Sequence, residues 1–297
     1  RYQRRLMKPA PFAYHRPDTV EQAAQLLAEL GEDAKLIAGG QSLVPMLAMR
    51  LAFFDHLVDI SRLEALQGIE VSGDWLRIGA GTTHAAVGAD ERVRSAVPLL
   101  THATPLIGHF QIRNRGTLGG SIAHADPAAE YPAVAVALDA EMETLSPTGG
   151  RTIAATEFFT GVWETPLASD EILTAVRFPV WSGRRGFAVE EFARRHGDFA
   201  IAGAAVAVEL DGDDRIRRCG IGLLGLGSTP RRATAAESEL TGRGLGELTP
   251  EDVGELSMTG LDDVPADLSG SADYRRRVGA AIVAQAWLAA TKEAADA

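Results

Sequence analysis

Two glycine pairs, each closely followed by a serine, are the residues here that could do chemistry. The first stands in Leu36-Ile37-Ala38-Gly39-Gly40-Gln41-Ser42-Leu43 and the second in Thr117-Leu118-Gly119-Gly120-Ser121. Paired glycines let backbone N–H groups turn toward one point with no Cβ in the way. A helix starting just after such a turn adds its positive end, which suits a phosphate. A serine hydroxyl beside the turn can donate to a phosphate oxygen. Two such loops, each holding one phosphate, would fit a pyrophosphate between them. Neither is a Walker loop, since no Gly-Lys-Ser/Thr follows, and neither has the three glycines of a Rossmann fingerprint.

Other reactive groupings are weaker. His124 and Asp126 offer two ligands two residues apart, whereas zinc or iron takes three or four. The single cysteine, Cys219, rules out an internal disulfide and a cluster ligated by this chain. It sits in an apolar run, 216–224, that reads as a buried strand, so it is expected to be a structural thiol. No Ser-His-Asp or Cys-His arrangement stands out.

Elements must position these loops. A capping box at Asp18 and Glu21 opens an amphipathic helix over 18–31, which Gly31 stops. A short strand then leads into the first glycine pair, with a helix over 43–51 after it and a strand over 56–60. The runs 69–72 and 75–79 flank Gly73-Asp74 and predict a hairpin. Helices are expected at 95–107 and 127–138, and strands at 140–146 and 171–178. The Gly/Pro/Arg-rich stretch 179–186 reads as a domain boundary. Beyond it, the apolar runs 199–210 and 216–226 predict antiparallel strands, and 274–291 a helix.

The 297 residues favour two domains, and 46% hydrophobic content is ample for their cores. The net charge of -11 argues against a nucleic-acid or anionic-membrane surface. No apolar run approaches the ~20 residues of a membrane helix, and no leader pattern is seen, so a cytoplasmic location is expected. Residues 1–6 are basic, precede Met7 and are left out of the fold reading.

Three pieces in order make the chain resemble the FAD-binding medium subunit of the molybdenum hydroxylases, the xanthine dehydrogenase and carbon monoxide dehydrogenase family. They are Ala38-Gly39-Gly40-Gln41-Ser42-Leu43, the run from Ile112-Arg113-Asn114-Arg115-Gly116 through Ser121, and Ala193-Arg194-Arg195-His196-Gly197-Asp198-Phe199-Ala200. The resemblance implies an α+β fold. A two-part FAD-binding domain of the PCMH type, vanillyl-alcohol-oxidase-like, would span 7–182. A smaller α+β domain with an antiparallel sheet would span 186–292.

It also implies that FAD is bound by Leu36 through Leu43 and by Thr117, Leu118, Gly119, Gly120, Ser121, Ala123, His124, Asp126 and Glu130. Glu130 stands where some relatives have Asp. Ile107 and Phe199 fall where relatives flank the flavin ring, and Leu173 where they contact it. The lysine that relatives carry before the Arg-Arg turn is replaced by Glu190-Glu191. Neither a catalytic residue nor a metal site is assigned to this chain. By the same resemblance, a molybdenum-cofactor large subunit and a small subunit with 2Fe–2S clusters are the partners, in a dimer of heterotrimers. Electrons would leave for quinone, NAD or oxygen. Carbon monoxide dehydrogenases often have His at the position of Gln41, which tilts the expected substrate toward an N-heterocycle. The alternatives are a self-contained flavoenzyme of the vanillyl-alcohol-oxidase type and a non-catalytic nucleotide-binding module.

Overall fold

The computed structural model describes residues 8–297, so the basic segment 1–6 and Met7 lie outside the described residues. Three short parallel strands come first: β1 (Ala13–His15), β2 (Ala34–Ile37) and β3 (His56–Asp59), in the order β1-β3-β2. The helix Val20–Leu30 buries Val20, Ala23, Ala24 and Leu27 against them, the spacing of one helix face. Its cap is one residue later than expected. The Thr19 hydroxyl accepts from the Gln22 amide at 3.1 Å, and the Gln22 side chain accepts from the Asp18 amide at 2.9 Å. That reciprocal pair satisfies the Gln22 and Asp18 amides, leaving Glu21 in solvent. The next helix, Leu43–Ala48, stops before the expected end because Arg50 turns to φ 58°.

The second sheet is antiparallel, in the order β4-β5-β8-β6-β7. Its strands are β4 (Ile69–Ser72), β5 (Trp75–Gly79), β6 (Glu141–Ser146), β7 (Gly149–Ala154) and β8 (Ile172–Pro179). The hairpin β4-β5 is as the alternation predicts; β7, opened by two glycines, was not foreseen. The single helix expected over 95–107 is broken into Glu91–Ala96, Pro98–Ala103 and a 3-10 turn, Thr104–Leu106. Proline explains the break, since its ring drives the preceding Val97 out of helical backbone, to φ -138° and ψ 69°.

The third sheet, in the order β12-β11-β10-β9, comprises β9 (Arg184–Phe192), β10 (Ala202–Leu210), β11 (Ile216–Leu224) and β12 (Arg231–Arg232). The 25-residue helix Ala272–Asp296 covers one face. β9 was missed because its first residues, Arg184-Arg185, fall in the stretch 179–186 that reads as a boundary, and Glu190-Glu191 interrupt the apolar residues that follow. Cys219 is buried in β11, and burial pushes its thiol up to about 12. Among the described residues no helix is long and apolar enough to cross a membrane.

The helix Glu130–Ala137 joins the two parts. Every residue from Tyr131 to Ala137 is buried. β11 lies directly on it, where a Cβ on Gly220 or Gly222 would stand 2.0 or 2.1 Å from the Ala137 or Ala133 carbonyl oxygen. One core therefore runs from Leu76, Ile78 and Phe178 through this helix to Ala205 and Ala207 of β10. Glu130, the first residue of this helix, is only partly buried.

Candidate functional site

Strand β2 delivers Ile37 and Ala38 to the turn Gly39-Gly40-Gln41-Ser42. Gly40 has φ 72°, a conformation that a Cβ would strain. Gln41 closes the turn by donating Nε2–H to Gly39 O at 2.9 Å. Among the described residues the amides of Gly40, Gln41 and Ser42 donate to no protein acceptor. The following helix has only six residues, so the turn's own amides supply most of the positive potential.

The facing wall is the backbone of Arg115 and Gly116. A Cβ on Gly39 would stand 2.1 Å from Arg115 O and 2.8 Å from Gly116 Cα, so only glycine permits this approach. A cleft of about 410 Å³ opens there, lined by Gly39, Gly40 and Gln41 together with Tyr14, Asp59 and Arg115. Asp59 accepts from the Tyr14 hydroxyl and, at 2.8 Å, from the Ser61 amide. Burial acts to raise its carboxyl, but these hydrogen bonds hold it below the usual range. Arg115 brings the cation.

The second glycine pair is not a loop. Gly119 and Gly120 form the first turn of the helix Leu118–His124, capped by Thr117, whose hydroxyl accepts from the Gly120 amide at 2.9 Å. The other amides are also committed: Leu118 to Thr82 O and Gly119 to Ala80 O at 2.9 Å, and Ser121 to Thr117 O at 3.0 Å. The second segment's amides are thus spent within the protein, unlike those of the first turn, and what it brings to the cleft is Arg115, with the partly buried Ser121 further on. His84 fixes that segment, its Nε2 meeting Thr117 O at 2.8 Å. Burial brings its pKa down to about 4, so the ring is neutral and Nε2 carries the proton it donates.

Past this helix, His124 stacks on Trp163 with ring centroids 6.0 Å apart, and the Trp163 Nε1–H donates to Asp126 Oδ2 at 3.1 Å. Burial holds His124 below its ordinary pKa, with Lys35 adding to the effect against Asp126. Burial pushes the Glu130 carboxyl up to about 8, and neighbouring Glu191 and Asp126 add to it. Glu191 is pushed up to about 7 by burial, and its Oε2 is buried without a partner. Glu130 is therefore a carboxyl that keeps its proton near neutral pH.

Ile107 is 8% exposed, and its loop is gathered by Arg113, whose Nη1 donates to Ile107 O at 2.9 Å and Gly108 O at 3.1 Å. Phe199 lies before β10 rather than in it and is 72% exposed, so it is no core residue. Leu173 lies in β8 with its side chain in the core, and Leu36, Ala38 and Ala123 pack against cores. What these four can offer a ligand is mainly backbone.

Sequence reasoning missed Tyr14, Asp59, Ser61 and Arg115 at the cleft, Arg113 behind Ile107, and Trp163. The carboxyl ends of β1 and β3 would have pointed to Tyr14 and Asp59, since ligands in parallel sheets sit at those ends. Nothing in the sequence marks Trp163. Among the described residues no group of three or more His, Cys, Asp or Glu is placed to hold a metal ion. Three free amides, a cationic residue and a cleft between two backbones fit the diphosphate of a dinucleotide.

Comparison with known proteins agrees over the whole length. The model of the FAD binding domain in molybdopterin dehydrogenase matches residues 10–181, and that of the CO dehydrogenase flavoprotein C-terminal domain matches 187–290. The chain is 43% identical to the 6-hydroxypseudooxynicotine dehydrogenase complex subunit alpha of Paenarthrobacter nicotinovorans, covering 92% of each chain. It is 40% identical to the caffeine dehydrogenase subunit beta of Pseudomonas sp. strain CBB1, over 94% of this chain and 95% of the relative. A chain in the solved structure of carbon monoxide dehydrogenase from Hydrogenophaga pseudoflava superposes with a TM-score of 0.93 at 37% identity, covering 96% of this chain and 99% of that one.

Proposed function

The chain belongs to the FAD-binding medium subunits of the molybdenum hydroxylases, and from that premise we propose that it is an electron-transfer subunit. In this reading it accepts electrons from a 2Fe–2S subunit and yields them to an external acceptor such as quinone, NAD or oxygen. The observation that carries the reading is the cleft between Gly39-Gly40-Gln41 and Arg115 in a chain with one cysteine. Such a chain can hold a dinucleotide and cannot ligate a cluster. FAD, when bound, supplies two-electron and one-electron redox chemistry.

The rest is done by the protein's own groups. The amides of Gly40, Gln41 and Ser42 bind the diphosphate, with Arg115 neutralising its charge. Glu130 holds a proton beside the ring system. Ile107 and Phe199 flank the ring, one from the core and one from a surface loop. Residues 7–182 form the FAD-binding domain and 186–292 the smaller domain. A molybdenum-cofactor large subunit and the 2Fe–2S subunit complete a cytoplasmic dimer of heterotrimers. Two relatives are named for 6-hydroxypseudooxynicotine and caffeine. With Gln41 in the first turn, they favour an organic nitrogen-containing substrate over carbon monoxide.

The isolated, FAD-loaded chain should stay oxidised when offered N-heterocycles or aldehydes without oxygen, yet respond to a small chemical reductant. Adding the two partner subunits should bleach its absorbance on substrate addition. Bleaching of the single chain by such a substrate at a turnover rate would instead identify a self-contained flavoenzyme.

A further inference from the structure

We propose that Trp163 is a cofactor-binding residue: its indole is a wall of the dinucleotide groove and takes a planar aromatic ring of the bound cofactor against its free face. The inference rests on the FAD reading above and extends it to a residue outside the glycine segments.

Five non-glycine residues among those described have positive φ: Arg50, Ala125, Asp139, Trp163 and Asp214. Aspartate visits this region with little difficulty. A bulky aromatic there is an outlier. Ala125, at 52°, and Trp163, at 58°, face each other, and the Trp163 amide donates to Ala125 O at 3.2 Å. Ala125 is the left-handed C-cap that ends the helix Leu118–His124, which leaves Trp163 as the strained residue at this point. Such strain persists only where the surroundings hold it, and it gathers at functional sites.

The surroundings hold the indole from three sides. Its backbone amide is tied to Ala125 O, its Nε1–H to Asp126 Oδ2 at 3.1 Å, and its ring lies nearly parallel to His124, at 14°. The other oxygen of Asp126 takes the Ala128 amide at 2.9 Å, so one carboxylate couples Trp163 to the segment leading into Glu130. Core packing does not explain this clamp, since Trp163 is 55% exposed and Val162 beside it is exposed too. Glycine or asparagine would make the same turn with less strain.

Its position explains the arrangement. The His124–Trp163 pair stands at the C-terminal end of the helix Leu118–His124, about 10 Å along its axis from the Thr117 end that follows Arg115 and Gly116, the facing wall of the cleft. A rigid aromatic with an open face, beside an anion-binding cleft, is the device by which proteins take nucleotide rings.

The test is a titration of the full chain, labelled with nitrogen-15 and freed of cofactor, with FAD, FMN and ADP in turn. The four tryptophans give four indole N–H resonances, and Trp163→Phe assigns the one in question. Trp75 lies under Arg177, Trp181 under Arg218, and Trp287 in the C-terminal core, so these serve as internal references. FAD should move the Trp163 resonance and leave the other three nearly in place. The same shift with FMN assigns the ring to isoalloxazine, and with ADP to adenine. Trp163→Ala should weaken FAD binding about tenfold or more, while Trp163→Phe keeps most of the affinity. FAD binding with the Trp163 resonance unmoved, or unchanged affinity in Trp163→Ala, overturns the inference and leaves the FAD reading standing. A folded chain that binds no FAD overturns both.

Discussion

Gly39→Ala should separate the two walls of the cleft. The added methyl would meet Arg115 O at 2.1 Å, Arg115 C at 2.6 Å and Gly116 Cα at 2.8 Å, all backbone atoms with no rotamer to adjust. Real Cβ contacts essentially never fall under 3.0 Å, so one backbone must shift by about 0.9 Å or more. Forced overpacking of this kind costs about 1–3 kcal/mol. The entropy that alanine removes from the unfolded chain offsets about 0.4–1 kcal/mol of that. The apo chain should therefore lose several degrees of Tm, at about 2–4 °C per kcal/mol for a protein of this size. FAD affinity should fall further, by about 10–100-fold. The shift spoils charge-assisted hydrogen bonds worth about 1.5–3 kcal/mol each. The assays are thermal unfolding of the apo chain and FAD titration followed by absorbance, both on folded protein. Gly212→Ala is the control, since nothing lies within 4 Å of a Cβ there and its φ is ordinary. Wild-type Tm and wild-type FAD affinity in Gly39→Ala would refute the claim that this approach builds the site.

Arg115→Gln should weaken FAD binding about tenfold and flatten its dependence on salt, because the cation at the cleft is gone; an unchanged salt slope would put the charge elsewhere. Phe199→Ala should leave the stability within about 0.5 kcal/mol of wild type, since the ring is 72% exposed. The reduced, FAD-loaded variant should reoxidise faster in oxygen, and an unaltered rate removes Phe199 from the ring's vicinity. Glu130 and Glu191 rise from 4.5 to about 8 and about 7 on folding. The folded chain thus holds protons that the unfolded chain releases. Their contribution to stability is fully present below about 4.5 and is lost as pH rises through 7 and 8. The apo Tm should fall over that window, and Glu130→Gln should flatten the fall; a variant with the wild-type slope would clear Glu130 of the effect.

The strand–turn–helix around Gly39 and Gly40 was legible because it is local. Apolar lead, glycine pair and apolar helix follow one another within a dozen residues, and glycine takes the φ of 72° found at Gly40 without steric cost. The hairpin at Gly73-Asp74 and the long strands β10 and β11 were legible by alternation or length for the same reason. Gly119 and Gly120 misled because a glycine pair carries two meanings. It can free a turn, or it can let a helix approach another backbone. Ala80, against which a Cβ on Gly119 would stand at 2.3 Å, lies too far away in sequence to announce which. Helix 95–107 failed at a proline whose effect on Val97 outweighs the apolar period.

By itself the sequence determined the element types where pattern was strong, the limit of one thiol, and the two segments that meet at the cleft. Only the tertiary structure decided that Gly39 touches Arg115, that the second segment's amides are already spent on Thr82 and Ala80, and that Glu130 is partly buried with Glu191 acting on it. It alone decided that Trp163 is bent against Asp126. The physical reason is that propensity and periodicity act over a few residues, whereas free amides, desolvated carboxyls and stacked rings depend on what the rest of the chain brings alongside.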